Sequence, residues 1–276
     1  MSLPTTVAHR TVDPPGSRPP EPTPASRPRP GPELVLVALL FAAYKLARLA
    51  VAGRVTAARD NADRVWSVER ALHFPDEAVI QRLLLHSDTL VRAANSFYAY
   101  VHFPATAAFL LWMYLRRPGH YRWARNTLAV LTAMALLVHL TFPLAPPRML
   151  AAAGLVDTAA RFGPSVYGNP QTDTLSNQYA AMPSLHVGWA LVVAVALIAT
   201  MRTRWRWLWL VHPAVTTLVV VATANHYWLD ALVAGALLGG VLLALGLPHR
   251  HPARHAAPRW QRPRTVTGVY AVTPGM

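Results

Sequence analysis

Asn225-His-Tyr-Trp-Leu-Asp230 runs directly into Ala231-Leu-Val-Ala-Gly-Ala-Leu-Leu-Gly-Gly-Val-Leu-Leu-Ala-Leu-Gly-Leu247, and this junction decides the fold. As α-helix, residues 227–247 reach about 30 Å, the thickness of a bilayer's hydrocarbon core. A histidine and an aspartate four residues apart stand at the start of that run. Ionisable groups so close to lipid are costly and ordinarily have a partner or a task, although a satisfied polar pair at a span end is the plain alternative.

Five further apolar runs share this character: 34–53, 97–115, 126–144, 185–201 and 207–224. Hydrophobic residues form 53% of the 276-residue chain and charged residues 14%, and the charges avoid the runs. A soluble domain would carry about 25% charge spread over its surface. The pattern predicts an all-α polytopic membrane protein with a six-transmembrane-helix core over residues 34–247. The 97–115 run is the least regular because it holds His102 and Pro104, but proline near the start of a span is tolerated. There is no cysteine, which removes disulfides, thiolate metal sites and thiol nucleophiles.

Residues 1–33 are dominated by Pro, Arg, Thr and Ser, and 248–276 return to the same composition. Such text buries too little apolar surface to fold, so both tails are expected to be disordered. The first tail has no short apolar stretch of the secretory kind, and the 34–53 run reads as a retained anchor. With both tails in the cytoplasm, the inner segments 1–33, 116–125, 202–206 and 248–276 hold 16 arginines against 3 acids. The outer segments 54–97 and 145–184, with Asp230, hold 8 arginines against 9 acids. Positive charge gathers on the cytoplasmic side, so the expected location is the cell membrane, multi-pass, with both termini cytoplasmic. The net charge of +14 then reads as a topology signal that attracts anionic membrane lipids. No single folded face carries it, and no nucleic-acid partner is expected.

Residues 116–120 and 202–206 read as tight inner turns. In the first outer segment Val79, Ile80, Leu83, Leu84, Leu90 and Val91 recur at near-helical spacing. They predict an amphipathic helix that either lies on the membrane surface or packs over the ends of the spans.

In this orientation the runs beginning at 185 and 227 both start on the exoplasmic face and present positive helix ends there, a setting for phosphate. His226 and Asp230 lie on one helical face about 6 Å apart along the axis. The carboxylate can fix the imidazole tautomer and leave the other ring nitrogen free for attack. Pro183-Ser184-Leu185-His186 opens the 185–201 run; Ser184 reads equally as a helix cap or as a phosphate ligand. Arg148 follows Phe142-Pro-Leu-Ala-Pro-Pro, where prolines end a helix, and could clamp phosphate oxygens or simply snorkel to headgroups. The glycines Gly235, Gly239 and Gly240 suit close helix packing.

Phe142-Pro-Leu-Ala-Pro-Pro-Arg148, Ala180-Ala-Met-Pro-Ser-Leu-His-Val-Gly-Trp189 and Asn225-His-Tyr-Trp-Leu-Asp230, in this order, resemble the type 2 phosphatidic acid phosphatase superfamily. Within it they look like the branch of aureobasidin-resistance inositol phosphorylceramide synthases. The resemblance covers roughly 34–247. It implies a six-helix core, no metal or other cofactor, and a phosphohistidine intermediate. It makes His226 the nucleophile, Asp230 its orienting carboxylate and His186 the acid that protonates the leaving alkoxide, with Arg148 and Ser184 binding phosphate. Imidazole suits proton transfer in either direction near neutrality.

Three positions depart from the common superfamily pattern: Thr141 stands for a lysine, Val220 for an arginine, and Leu185 for a glycine. Asn225, Asn177, Arg161 and helix ends are the candidates to compensate for the missing cations. The expected reaction is cleavage of a lipid phosphate or phosphodiester. The rival is transfer of a phospho-headgroup such as inositol phosphate to an alcohol or lipid acceptor, with Asn169, Gln171, Asp173 and Asn177 read equally as hydroxyl-recognising groups or as an ordinary polar loop. A non-catalytic transporter or scaffold is the third class, against which stand the purely apolar stretches 190–199 and 218–222.

Overall fold

The computed structural model describes residues 27–51, 53–165 and 178–248. Most of both tails, and the polar segment holding Asn169, Gln171, Asp173 and Asn177, lie outside the described residues. The described chain is helical: α1 (Pro30–Val51), α2 (Val55–Ala71), α3 (Glu77–Leu84), α4 (Asp88–Ser96), α5 (His102–Arg116), α6 (Pro118–Thr141), α7 (Thr158–Phe162), α8 (Leu185–Thr200), α9 (Val211–Ala222) and α10 (Trp228–Leu245). Short π and 3-10 turns link several of them.

Among the described residues four stretches are long and apolar enough to cross a membrane: Pro30–Ala47, Pro118–Thr141, Arg204–Ala222 and Trp228–Leu245. The apolar α8 is shorter, and the 97–115 run forms a π turn, Phe97–Val101, leading into α5. Against the expected six, four full-length stretches are present among the described residues. Large apolar side chains are exposed along them, including Leu34, Val37, Phe41, Leu137, Leu218 and Leu232. Exposure on this scale is untenable in water and compatible with a membrane protein.

Several boundaries differ from the sequence expectation for local reasons. α6 begins at Pro118, whose absent N–H costs nothing at a first helical position, so the expected 116–125 linker contracts to a single residue, Arg117. The amphipathic stretch 79–91 is two helices. Asp76 caps α3 by accepting from the Ala78 N–H at 2.9 Å, and Ser87 caps α4 by accepting from Leu90 at 3.4 Å. Both pack over the bundle, with Leu84, Val91 and Ala94 meeting Ala222 and Val219 of α9. α2 was not expected. It buries Ala58, Asn61, Ala62, Val65 and Glu69 at three- and four-residue spacing, the stripe of an amphipathic helix.

The main core joins α5, α6, α8 and α10 through Phe109, Met113, Leu128, Leu131, Val192, Ala196 and Leu238. A side-chain carbon on Gly188 would come within 3.2 Å of Leu131, so this glycine allows α8 to approach α6 closely. Gly239 and Gly240 have open space around them and make no such approach. At one end of the bundle α2, α3, α4 and α7 form a cover. Gln81 of α3 exchanges hydrogen bonds with both backbone groups of Val156, at 2.9 and 2.8 Å. Asn95 of α4 donates to the carbonyls of Thr158 and Gly163 at 3.0 Å each. Polar side chains thus satisfy the backbone of a loop that would otherwise be left unpaired.

Candidate active site

Beneath that cover the three polar segments meet. Leu144 N–H donates to Tyr179 O at 2.9 Å and Ala181 N–H to Leu144 O at 3.2 Å, forming a short parallel bridge between the first and second segments. Arg148 N–H donates to Ala224 O at 3.1 Å, joining the first to the third. Ser184 N–H donates to Asp230 O at 3.1 Å, joining the second to the third. α2 anchors the first segment, with Asn61 donating to Pro143 O at 2.9 Å and Ala58 O accepting from Ala145. Segments far apart in sequence, such as those holding Arg148 and Ala224, are thereby joined to one another by main-chain bonds.

His226 sits in the turn between α9 and α10. Its N–H and that of Asn225 both donate to Val220 O, at 3.1 and 3.0 Å, and Ala224 adopts a left-handed conformation (φ 55°) to close the turn. A non-glycine residue in that region is strained and persists only when its surroundings impose it. His226 Nδ1 lies 2.8 Å from Ala181 O and 3.1 Å from Asp230 Oδ2. Both are acceptors, so Nδ1 carries a proton and the neutral ring keeps its lone pair on Nε2. Asp230 Oδ2 also accepts the Tyr227 N–H at 2.9 Å, and the aspartate is fully buried.

His186 occupies the first turn of α8. Its ring centre is 6.1 Å from that of His226, and it stacks on Tyr98 at 4.3 Å and against His102 at 4.4 Å. One nitrogen bonds the Tyr98 carbonyl. Ser184 is the buried cap of α8, its hydroxyl accepting from Val187 at 3.4 Å. The two helix ends differ in what they offer an anion. At α10 the Tyr227 and Leu229 N–H groups are already taken, by Asp230 and by Glu69 Oε1 at 2.7 Å. Acidic side chains thus take two of the N–H groups at the expected positive end of α10.

Arg148 is nearly buried, its side chain 3% exposed. Its guanidinium donates to Asn225 Oδ1 at 2.5 Å, and its Nε lies 3.4 Å from Asp157 Oδ2. Asn225 in turn donates to Thr223 Oγ1 at 2.8 Å. Arg148, Asn225, His226, Asp230, Ser184 and His186 therefore come together, whereas Asn177 lies outside the described residues. The substituted positions add no charge: Thr141 is exposed and bonds Leu137 O of its own helix, and Val220 is buried, contributing only its carbonyl. Arg161 is exposed over the Phe162 ring. Among the described residues no three His, Cys, Asp or Glu side chains are grouped as metal ligands would be.

The family pattern described as the PAP2 superfamily matches residues 63–245, about two thirds of the chain. The chain belongs to the PAP2 superfamily. Membership supports lipid-phosphate chemistry of the phosphatase or phosphotransferase type in general. No curated protein and no solved structure matches the chain.

This PAP2 protein also places residues at the site that its three motifs do not announce. Glu69 of α2, fully buried, caps α10 beside Asp230. Glu69 Oε2 and Glu77 Oε1 are buried without any other partner, and a proton on Glu69 lets it hydrogen-bond Glu77. Burial first, then that bond and the charge of Glu77, push the Glu69 carboxyl up to about 9. Glu77 itself pairs with Arg70 at 2.8 Å. His139 of α6 bonds Pro183 O at 3.2 Å, steadying the second motif from below. The signal available for Glu69 was its place on the 58–61–62–65–69 stripe, where a carboxylate interrupts an otherwise buried face.

Proposed function

We propose that this PAP2 protein cleaves a lipid phosphate or phosphodiester through a phosphohistidine on His226, as a metal-independent phosphatase. The carrying observation is the double hold on His226 Nδ1, by Asp230 Oδ2 and Ala181 O, with His186 next to it. Nε2 would attack phosphorus, forming the P–N bond as the P–O bond to the lipid breaks, and His186 would give its proton to the departing alkoxide. Water would then lose a proton to His186 and attack phosphorus, releasing phosphate and regenerating His226. Ser184 would act through its cap, by fixing the first turn of α8 and its N–H groups toward the phosphate. Arg148 would add positive charge through a guanidinium held by Asn225 and Asp157. The chain would cross the membrane six times, with α5 and α8 completing the set, both termini in the cytoplasm and the site on the exoplasmic face.

The test is phosphate release from diacylglycerol phosphate and from a prenyl phosphate by full-length protein in detergent with a chelator present. Turnover by the wild type and none by His226→Ala is expected. Turnover by His226→Ala equal to the wild type would remove the assignment. Parallel reactions with added inositol separate the two acceptors: a phospho-inositol product in place of free phosphate would make the protein a transferase.

A further inference from the structure

At the end of the bundle away from His186 and His226, the C-terminus of α8 opens into a cleft of about 530 Å³. Sixteen residues of helix place it about 24 Å from the catalytic end. Arg117, His120, Arg202 and Arg206 line it with Ala199, Thr200 and Met201, and no carboxylate is among these residues. Arg117 donates to the Thr200 carbonyl at 3.0 Å, which ties the turn between α5 and α6 to the last turn of α8. Glu33, the acid described at this end, is committed elsewhere: it pairs with Arg125 at 2.7 Å and accepts from Tyr121 at 2.8 Å. Beside the cleft the 3-10 turn Arg204–Leu210 exposes Trp205, Trp207, Leu208 and Leu210. Aromatic and apolar side chains of this kind sit at the boundary between headgroups and acyl chains.

We propose that this cleft binds the phosphate of an anionic lipid headgroup, its acyl chains lying along Trp205, Trp207 and Leu208. Several guanidinium groups around one cavity, with no carboxylate among its described lining residues, form charge-assisted hydrogen bonds to phosphate oxygens. The apolar rim selects a lipid over free phosphate, since only a lipid has chains to cover it. Basic cavities between membrane helices are a known means of holding acidic headgroups. The site is separate from the catalytic residues. In the topology proposed above it would face the cytoplasmic leaflet, but the binding itself does not depend on that orientation or on turnover.

Full-length protein in neutral detergent is titrated with dioleoylphosphatidylglycerol and with dioleoylphosphatidylcholine, and bound lipid is counted by native mass spectrometry, with and without excess inorganic phosphate. One saturable phosphatidylglycerol is expected, with phosphatidylcholine bound at least tenfold more weakly. Arg202→Gln/Arg206→Gln should lose at least tenfold in affinity. Arg116→Gln/Arg204→Gln, which removes the same charge from positions that do not line the cleft, should bind as the wild type does. Melting temperature and gel-filtration profile establish that both variants are folded, and Arg117 is left intact because it holds α8. Equal loss in the two double variants would show diffuse charge attraction and overturn the proposal. So would equal binding of the two lipids, or displacement of the lipid by phosphate at equal concentration.

Discussion

Glu69→Gln should keep the cap on α10 and abolish a pH dependence of stability. Glu69 Oε1 accepts the Leu229 N–H at 2.7 Å, and a glutamine carbonyl can take the same bond while its amide donates to Glu77. In the unfolded chain the carboxyl ionises near its ordinary value of 4.5, whereas burial beside Glu77 pushes it up to about 9 in the folded protein. Between these values the folded protein holds a proton that the unfolded chain has lost. The stabilising contribution is therefore complete below the lower value and declines as pH rises toward the upper one. The slope is at most about 1.4 kcal/mol per pH unit. From pH 6 to pH 8 this gives up to about 3 kcal/mol, or roughly 6–12 °C in melting temperature for a chain of this size. Melting curves in detergent from pH 5.5 to 9 should show the wild type falling and Glu69→Gln level by comparison. Glu69→Ala should be less stable than Glu69→Gln at every pH by about 1–3 kcal/mol, the cost of an unpaired buried N–H. Wild type and Glu69→Gln declining in parallel would refute the shared-proton account. Glu69→Gln as unstable as Glu69→Ala would refute the cap.

Other substitutions address separate contacts. Gly188→Val forces carbon into the 3.2 Å approach to Leu131 and should cost about 1–3 kcal/mol in thermal stability, while Gly239→Val, in open space, should be tolerated. Arg148→Lys cannot hold Asn225 and Asp157 together, and kcat/KM should fall about 10- to 100-fold, the equivalent of one charged hydrogen bond. His186→Asn should reduce kcat by about 10²- to 10⁴-fold on an alkyl phosphate. A nitrophenolate leaving group needs no proton, so the first-turnover burst of nitrophenolate should recover most of that loss even though hydrolysis of the phosphoenzyme stays slow; an equally slowed burst would deny His186 the role of acid.

Much of the site was legible because its residues stand at helix starts, and helix starts follow from apolar run length and proline position. The 227–247 run placed His226 and Asp230 at one helix end, and the hydrogen bond at 3.1 Å realises the spacing of four. Charge patterning was also informative, since arginines at 117, 202 and 206 do gather at the end opposite the histidines. Side-chain partners across the fold were not legible. Nothing local to Glu69 indicates that it meets Leu229, 160 residues away, nor does the Arg148 region specify Asn225. The positive end of α10 was expected to face phosphate, and tertiary contact with α2 brought the Glu69 carboxyl to one of its N–H groups instead. Helix lengths also shifted where a single proline or cap decided the boundary, as at Pro118 and Ser87.

Covalent trapping addresses the central claim most directly. Full-length protein is mixed with a lipid phosphate labelled with ³²P, quenched in alkali within the first turnover, and digested for mass spectrometry. Label should appear on the peptide containing His226, stable in alkali and lost in acid as a phosphoramidate is, and should be absent from His226→Ala. Label on another residue, or substrate turnover at the full rate in His226→Ala, would contradict the account.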